Sequence, residues 1–424
     1  MRRTLLFLLL TLFGLTDARS QQTYTLDSLY RAAEARLPLL RNKELIAAQG
    51  ELQRANLYAR RLPQLQLTAT GSFQSENVKL DFPPTVPIPG VELPLYRAQL
   101  YAEANYVLYD GGRLKAAQQT LDQRLQTSQA ALEAPAEQVR QTVQQLFFNV
   151  LILRKQRAIL ETGMASLRER QKALQAAIDA GAALPATAIE LEAQLLRTEA
   201  QTLQLKQTEA GLLSALNTLT GLSIDKEASF TPPATPPPPA TEDFSQRTDI
   251  RLIGFRQMEL AAKAEQSKAN RKPTVAAFAK AGIGYPNPLN FFDDQISPYG
   301  IIGLQASWQL FDWKVSKRDQ DALKYQQLML DNEREQRIQQ LKTEEARLRE
   351  QWTLYDQLIA KDAAALELQK QLLATAETQL QEGTITATDY LQKWNAVQQA
   401  GLQLELHRLQ KLQTAMQWES LHKP

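Results

Sequence analysis

The feature that most constrains this chain is a sentence spoken twice, strand, strand, turn and very long helix, once in each half. The first copy runs from Pro63 through Leu65 to Gln74, then Ala98 to Tyr109, then Asp110-Gly111-Gly112-Arg113 and a long helical stretch ending at Gly181. The second runs from Pro273 through Val275 to Tyr285, then Ile301 to Phe311, then Asp312-Trp313-Lys314 and a helical stretch ending at Gly383. Asp110 to Gly181 and Asp312 to Gly383 are both 71 residues apart, so the long element has one length in both copies.

Period-two alternation marks the strands. Leu65, Leu67, Ala69, Gly71 and Phe73 interleave with Gln66, Thr68, Thr70, Ser72 and Gln74, and Ala98 to Leu108 alternates against Gln99, Glu103 and Asn105. Thr274 to Tyr285 is noisier, and Ile302, Leu304, Ala306, Trp308 and Leu310 alternate with Gly303, Gln305, Ser307 and Gln309. Each segment is roughly 11 to 13 residues, nearer a tilted membrane strand than a globular one of about 5 or 6. Aromatics cluster at the ends, with Phe73, Tyr96, Tyr285, Phe291, Phe292 and Tyr299 on the loop side and Tyr106, Tyr109, Phe311 and Trp313 on the helix side. That is the pattern of two interfacial girdles. The expected strands are 64–74, 98–109, 274–285 and 299–311, joined by Pro-rich loops.

The long helices are expected at 113–180 and 313–382, each roughly 100 Å at about 1.5 Å per residue. A heptad series runs Leu125, Leu132, Val139, Leu146, Leu153, Leu160, Leu167, Leu174, and a second one Trp352, Ile359, Leu366, Leu373, Leu380. Pro135 predicts a kink or joint in the first. Shorter helices, Leu26 to Leu62, Pro185 to Thr220, Gln246 to Lys272 and Thr386 to Trp418, flank the long ones and are expected to pack antiparallel on them. Thr231 to Ala240 holds six prolines in ten residues and reads as a linker. The domain plan is therefore 1–20, a first repeat 21–230, a linker 231–245 and a second repeat 246–424.

Met1-Arg2-Arg3, the apolar run Leu5 to Leu15 and Ala18-Arg19-Ser20 read as a signal peptide, so an exported protein is expected. The chain has no Cys and a net charge of +2, so it carries neither a disulfide framework nor a basic excess pointing to nucleic acid. With two histidines, no Cys and no carboxylates at metal spacing, neither a metal site nor a nucleophile–base pair is supported; no cofactor and no enzymatic activity are expected. His407 reads as a solvated side chain.

The whole mature chain resembles the TolC-type outer-membrane efflux channel proteins, the outer membrane factors. The resemblance rests on the duplication, the hairpins and the strand ends Tyr109-Asp110-Gly111-Gly112-Arg113 and Phe311-Asp312-Trp313-Lys314. It implies a mainly α fold with a β-barrel portion: a homotrimeric, twelve-stranded barrel in the outer membrane of a Gram-negative bacterium, continued by a periplasmic α-helical barrel. The implied partners are outer-membrane lipid, a periplasmic adaptor (membrane fusion) protein and an inner-membrane efflux pump, and the implied function is the exit duct of a tripartite efflux or type I secretion system.

Four strands per chain leave open edges that hydrocarbon does not tolerate, which independently calls for strands from other copies. Asp110, Gly111, Gly112 and Asp312 are expected at the strand-to-helix turns; Gly181 and Gly383 read locally as ordinary helix stops, and the resemblance implies that Gly181, Ala183, Gly383 and Thr384 form the adaptor-docking tips. Asp389 matches an acidic ring at the tunnel constriction; read locally, it equally suits the first turn of a helix starting near Thr386. Gln392 stands where a second acid ring is found in relatives, and Ile385 where a basic gating partner is found. The competing reading is a periplasmic coiled-coil scaffold or adaptor with a soluble sheet; an exported hydrolase ranks third.

Overall fold

The computed structural model describes residues 22–77, 79–80, 91–181, 184–237, 243–290, 293 and 295–422. The signal-peptide reading and Phe291, Phe292 and Ala183 fall outside them. In chain order the elements are β1 (Thr23–Thr25), α1 (Leu26–Arg36), α2 (Pro38–Ala59), β2 (Gln64–Phe73), β3 (Lys79–Leu80), β4 (Val91–Glu92), β5 (Tyr96–Tyr109), α3 (Arg113–Ala130) and α4 (Glu133–Asp179). There follow α5 (Pro185–Thr220), β6 (Ser229–Thr231), α6 (Thr248–Ala269), β7 (Thr274–Tyr285), β8 (Ser297–Ser307), α7 (Val315–Gln381) and α8 (Ala387–His422). They form two compact units. One holds residues up to Leu40, Glu133–Thr248 and Ile338 onward, and the other holds Arg41–Leu132 and Asp249–Arg337. Each unit draws on both repeats.

Three differences from expectation have local causes. The helix expected at 113–180 is two helices, α3 and α4, interrupted at Ala131 and Leu132, with Pro135 in the first turn of α4, where its missing N–H costs nothing. The helix expected from Leu26 to Leu62 is also two, because Pro38 pushes Leu37 into an extended conformation (φ −67°, ψ 112°) and opens α2 itself. The strand expected at 299–311 runs Ser297–Ser307, because Trp308 to Phe311 lie beyond the last residue of β7 able to pair with them; Thr274 already pairs with Ser307.

In the second unit β2, β5, β7 and β8 form one antiparallel sheet in that order. The β5–β7 pair joins the two repeats, and β2 and β8 are its edges. The register puts Leu65 opposite Ala104, Leu67 opposite Ala102, and Ala279 opposite Ile302, so one face is apolar across all four strands. That face is bare: Leu67 is 72% and Ile302 85% exposed. On the other face Lys280 forms an ion pair with Glu103 (3.3 Å) and lies over the Tyr101 ring. The noise in the third strand is thus a polar side chain, Lys280, set beside Phe278 and Gly282 on the polar face.

The first unit is helical, with two apolar clusters. One gathers Leu26, Leu29 and Ala33 of α1, Val143, Phe147, Phe148 and Val150 of α4, Leu213 and Leu216 of α5, and Phe230 of β6. The heptad series captures Leu160 and Leu167 but leaves out the adjacent Phe147 and Phe148, which are fully buried. Glu209, buried on α5, takes Arg154 (2.6 Å) and Arg157, and Arg154 reaches on to the carbonyls of Lys226 (3.0 Å) and Ala228, fastening the segment that leads into β6. There β6 pairs in parallel with β1, a small sheet that its three-residue strands hide from pattern reading. His407 is not solvated: it is mostly buried on α8 and bonds through Nδ1 to Asp362 of α7. Among the described residues no helix is long and apolar enough to cross a membrane.

Candidate functional sites: the turns beneath the sheet and the helix tips

The two strand-to-helix turns share one mechanism. Asp110 accepts hydrogen bonds from the N–H groups of Gly112 and Leu114, each at 2.8 Å, satisfying donors that the start of α3 leaves orphaned. Asp312 does the same for Lys314 and Ser316, each at 3.0 Å, and also takes the Ser316 hydroxyl. The Ser316 hydroxyl and N–H hold the Asp312 carboxyl below the ordinary carboxylate range. In both turns the two residues after the Asp are left-handed: Gly111 (φ +69°) and Gly112 (+84°), then Trp313 (+52°) and Lys314 (+63°). Gly111 has a second reason to be glycine, because a Cβ there would lie 2.6 Å from the Cβ of Lys272. Beside it Arg113 donates to the carbonyls of Asn270 (2.7 Å) and Lys272 (3.2 Å).

At the tips Gly181 (φ +73°) ends α4 and Gly383 (φ +71°) follows α7, the left-handed stop that glycine adopts without steric cost. The second tip is tied more closely: Thr384 donates its N–H (2.9 Å) and its hydroxyl (3.0 Å) to the Gln379 carbonyl. Pro185 begins α5 as its first residue. Thr386 and Asp389 cap α8 reciprocally: Asp389 accepts from the Thr386 N–H (3.1 Å) and hydroxyl (2.7 Å), and Thr386 Oγ1 accepts from the Asp389 N–H (3.2 Å). Those bonds from Thr386 hold the Asp389 carboxyl below its ordinary range.

Asp389 and Gln392 are both exposed and three residues apart on α8, so they share a face. Ile385 is partly buried against the tip cluster of Leu167, Leu191, Tyr390 and Trp394. Thr388 joins the two tips by donating to Glu190 (2.9 Å), and a cleft of about 760 Å³ opens between them. The Thr386 cap was legible in the spacing Thr-x-x-Asp; the left-handed Trp313 and Lys314 were not, since neither residue type signals a positive φ.

Residues 29–222 match the family model described as outer membrane efflux protein. That stretch lies mostly within the first half of the chain and is similar to the outer membrane efflux proteins. Its fold is that of several solved outer-membrane channels. The outer membrane protein VceC of Vibrio cholerae superposes with a TM-score of 0.66 at 18% identity, over 94% of this chain and 96% of its own. The MtrE outer membrane channel of Neisseria gonorrhoeae, solved in its open state, gives 0.66 at 18%, over 94% and 89%. The CmeC channel of Campylobacter jejuni gives 0.64 at 16%, over 92% and 83%. Among curated proteins no sequence matches the chain. The matched family model and these solved structures are of outer-membrane proteins by description.

Proposed function

We propose that three copies of this chain close a twelve-stranded barrel and act as the passive exit duct of a tripartite efflux or type I secretion assembly, with no chemistry of its own. The observation that carries the reading is the four-stranded sheet with an exposed apolar face and two open edges, β2 and β8. Unpaired backbone at such edges costs several kcal/mol per group in hydrocarbon, and edge-to-edge pairing of β8 with the next copy's β2 removes it. Ile189, Leu196 and Leu203, seven residues apart on α5, are each more than half exposed, as a helix with an absent neighbour would show. The two repeats, 21–230 and 246–424, are read as a duplication that gives each copy two hairpins and two long helices.

The tips around Gly181 and Ala183, and around Gly383 and Thr384, form the periplasmic mouth, to which an adaptor docks beneath an inner-membrane pump. Threefold symmetry gathers the Asp389 and Gln392 side chains into rings there. Like charges held together raise a carboxyl's pKa, opposing the lowering by Thr386, and favour cations at the constriction. Native mass measurement in detergent tests the core of the proposal: a heat-modifiable trimer is expected, and a stable monomer in outer-membrane extracts would overturn it. Cysteines at Ala183 or Thr384 are expected to crosslink to a co-expressed adaptor, and crosslinks confined to sites near the strands would contradict tip docking. Conductance in planar bilayers tests the ring, since Asp389→Ala is expected to lower cation selectivity and block by a trivalent cation.

A further inference from the structure

Charge is segregated along the strands. The helix-side segments 59–63, 110–116, 268–273 and 312–318 together hold ten Lys and Arg against two acids. Those two acids are Asp110 and Asp312, whose carboxylates are already turned onto backbone N–H groups of their own turns. At the other strand ends, residues 74–97 and 286–298 hold two Lys and Arg against five acids. With a net charge of only +2 for the whole chain, this is local placement and not a general basic excess.

A cleft of about 690 Å³ lies within this basic level, between the end of α2, the end of β5 and the start of α3. Its lining mixes the apolar Leu57, Leu108 and Tyr109 with Arg60, Arg61 and Lys115, all three exposed, and Arg113. Arg113 is fixed by its bonds to Asn270 and Lys272, while its Nε is buried with no hydrogen-bond partner. The exposed guanidinium groups of Arg60 and Arg61 present forked N–H donors of the kind that suits a phosphate's oxygens. The apolar residues in the lining suit what is attached to a lipid phosphate and not a free ion, and Tyr109 belongs to the aromatic girdle read as marking the depth of headgroups.

We propose that this cleft binds the headgroup phosphodiester of an anionic phospholipid from the periplasmic leaflet, and that the bases of the neighbouring turns continue the site into a belt against that leaflet. A polybasic rim is drawn to an anionic surface within a Debye length, which would set the depth of the barrel as well as retain individual lipids. The inference rests on the reading of the sheet as part of an outer-membrane barrel.

The test uses the full-length trimer in nanodiscs of phosphatidylcholine alone or mixed with phosphatidylglycerol, with heat-induced loss of the trimer and lipid adducts in native mass spectra as readouts. Phosphatidylglycerol is expected to raise the melting midpoint and to remain bound at up to one lipid per protomer. The variant Arg60→Gln/Arg61→Gln/Lys115→Gln, with Arg113 left to hold its turn, is expected to lose both effects while its midpoint in phosphatidylcholine stays unchanged. The proposal is overturned if phosphatidylglycerol has no effect on the wild type, if inorganic phosphate reproduces the shift, or if the variant changes the ion selectivity of the channel and not the lipid response, which would place these bases on the lumen. A chain that forms neither trimer nor channel would instead fail the barrel reading itself.

Discussion

Asp110-Gly111-Gly112 and Asp312-Trp313-Lys314 build the same turn from different residues. Both place two consecutive residues in the left-handed region, and both use the aspartate to take the N–H groups two and four residues on. The aspartate and the need to reverse from strand to helix therefore set the geometry; glycine only lowers its cost. A side chain in the left-handed region costs about 1–2 kcal/mol per residue, so the second turn retains strain that the first avoids. The surroundings explain the difference. Gly111 is pressed onto Lys272 and Pro273, where no side chain fits, whereas Trp313 follows the edge strand β8 and is 77% exposed, stacked edge-on only against Phe311. The interior turn is specified by packing within its own unit, and the edge turn carries side chains offered outward.

The sharpest way to break this comparison is Gly111→Val. Left-handed strain and a Cβ at 2.6 Å from Lys272 act together, and a loss of about 3 kcal/mol or failure to assemble is expected, read from trimer yield and melting. Trp313→Val meets no such contact and is expected to do much less. Next, Asp110→Ala leaves two helix-start donors without their acceptor and is expected to cost about 1–2 kcal/mol. Asp312→Ala is expected to act in the same direction, and a neutral result there would show that the edge turn does not depend on its aspartate.

Lys314→Gly sharpens the contrast further: relief of left-handed strain is expected to stabilise by up to about 1 kcal/mol. Destabilisation would mean that the lysine side chain is used by a neighbouring copy. The smallest effect concerns pH. Asp312 and Asp389 have carboxyls held below their ordinary range, by Ser316 and Thr386 respectively. Their contribution is fully present above the unfolded carboxylate pKa, about 4, and is lost as pH falls through the lower folded value. Hydrogen exchange at Ser316 and Thr386 is expected to rise only below about pH 4. Asp312→Asn and Asp389→Asn should flatten that dependence.

The strands were legible because alternation is local: one residue in two faces the apolar side whatever the rest of the chain does. The tip glycines and the caps were legible for the same reason, being set within four or five residues. The failures are of another kind. Pro38 marks a break that the apolar residues on both sides of it, Leu37, Leu39 and Leu40, mask, and Phe147 with Phe148 fall between heptad positions that a regular repeat cannot hold at once. His407 read as solvated because its own helix is polar around it; its partner Asp362 comes from α7, which no local pattern reveals. Glu209, buried between Arg154 and Arg157, was hidden similarly, since its counterions lie on another helix.

The pairing of β1 with β6 bears on how the protein is made. Thr25 and Thr231 lie roughly two hundred residues apart, yet the entropic cost of closing a loop grows only with the logarithm of its length. All but one of the fully buried residues of the surrounding cluster, Leu409 being the exception, precede residue 231. A chain delivered from its N-terminus can therefore complete most of this core before the second half has emerged. The β5–β7 pair, by contrast, must wait for both halves. Chain order and contact order thus run together: this one cluster has the means to form first, while the strands of the second half, whose edges are least safe alone, are still being supplied.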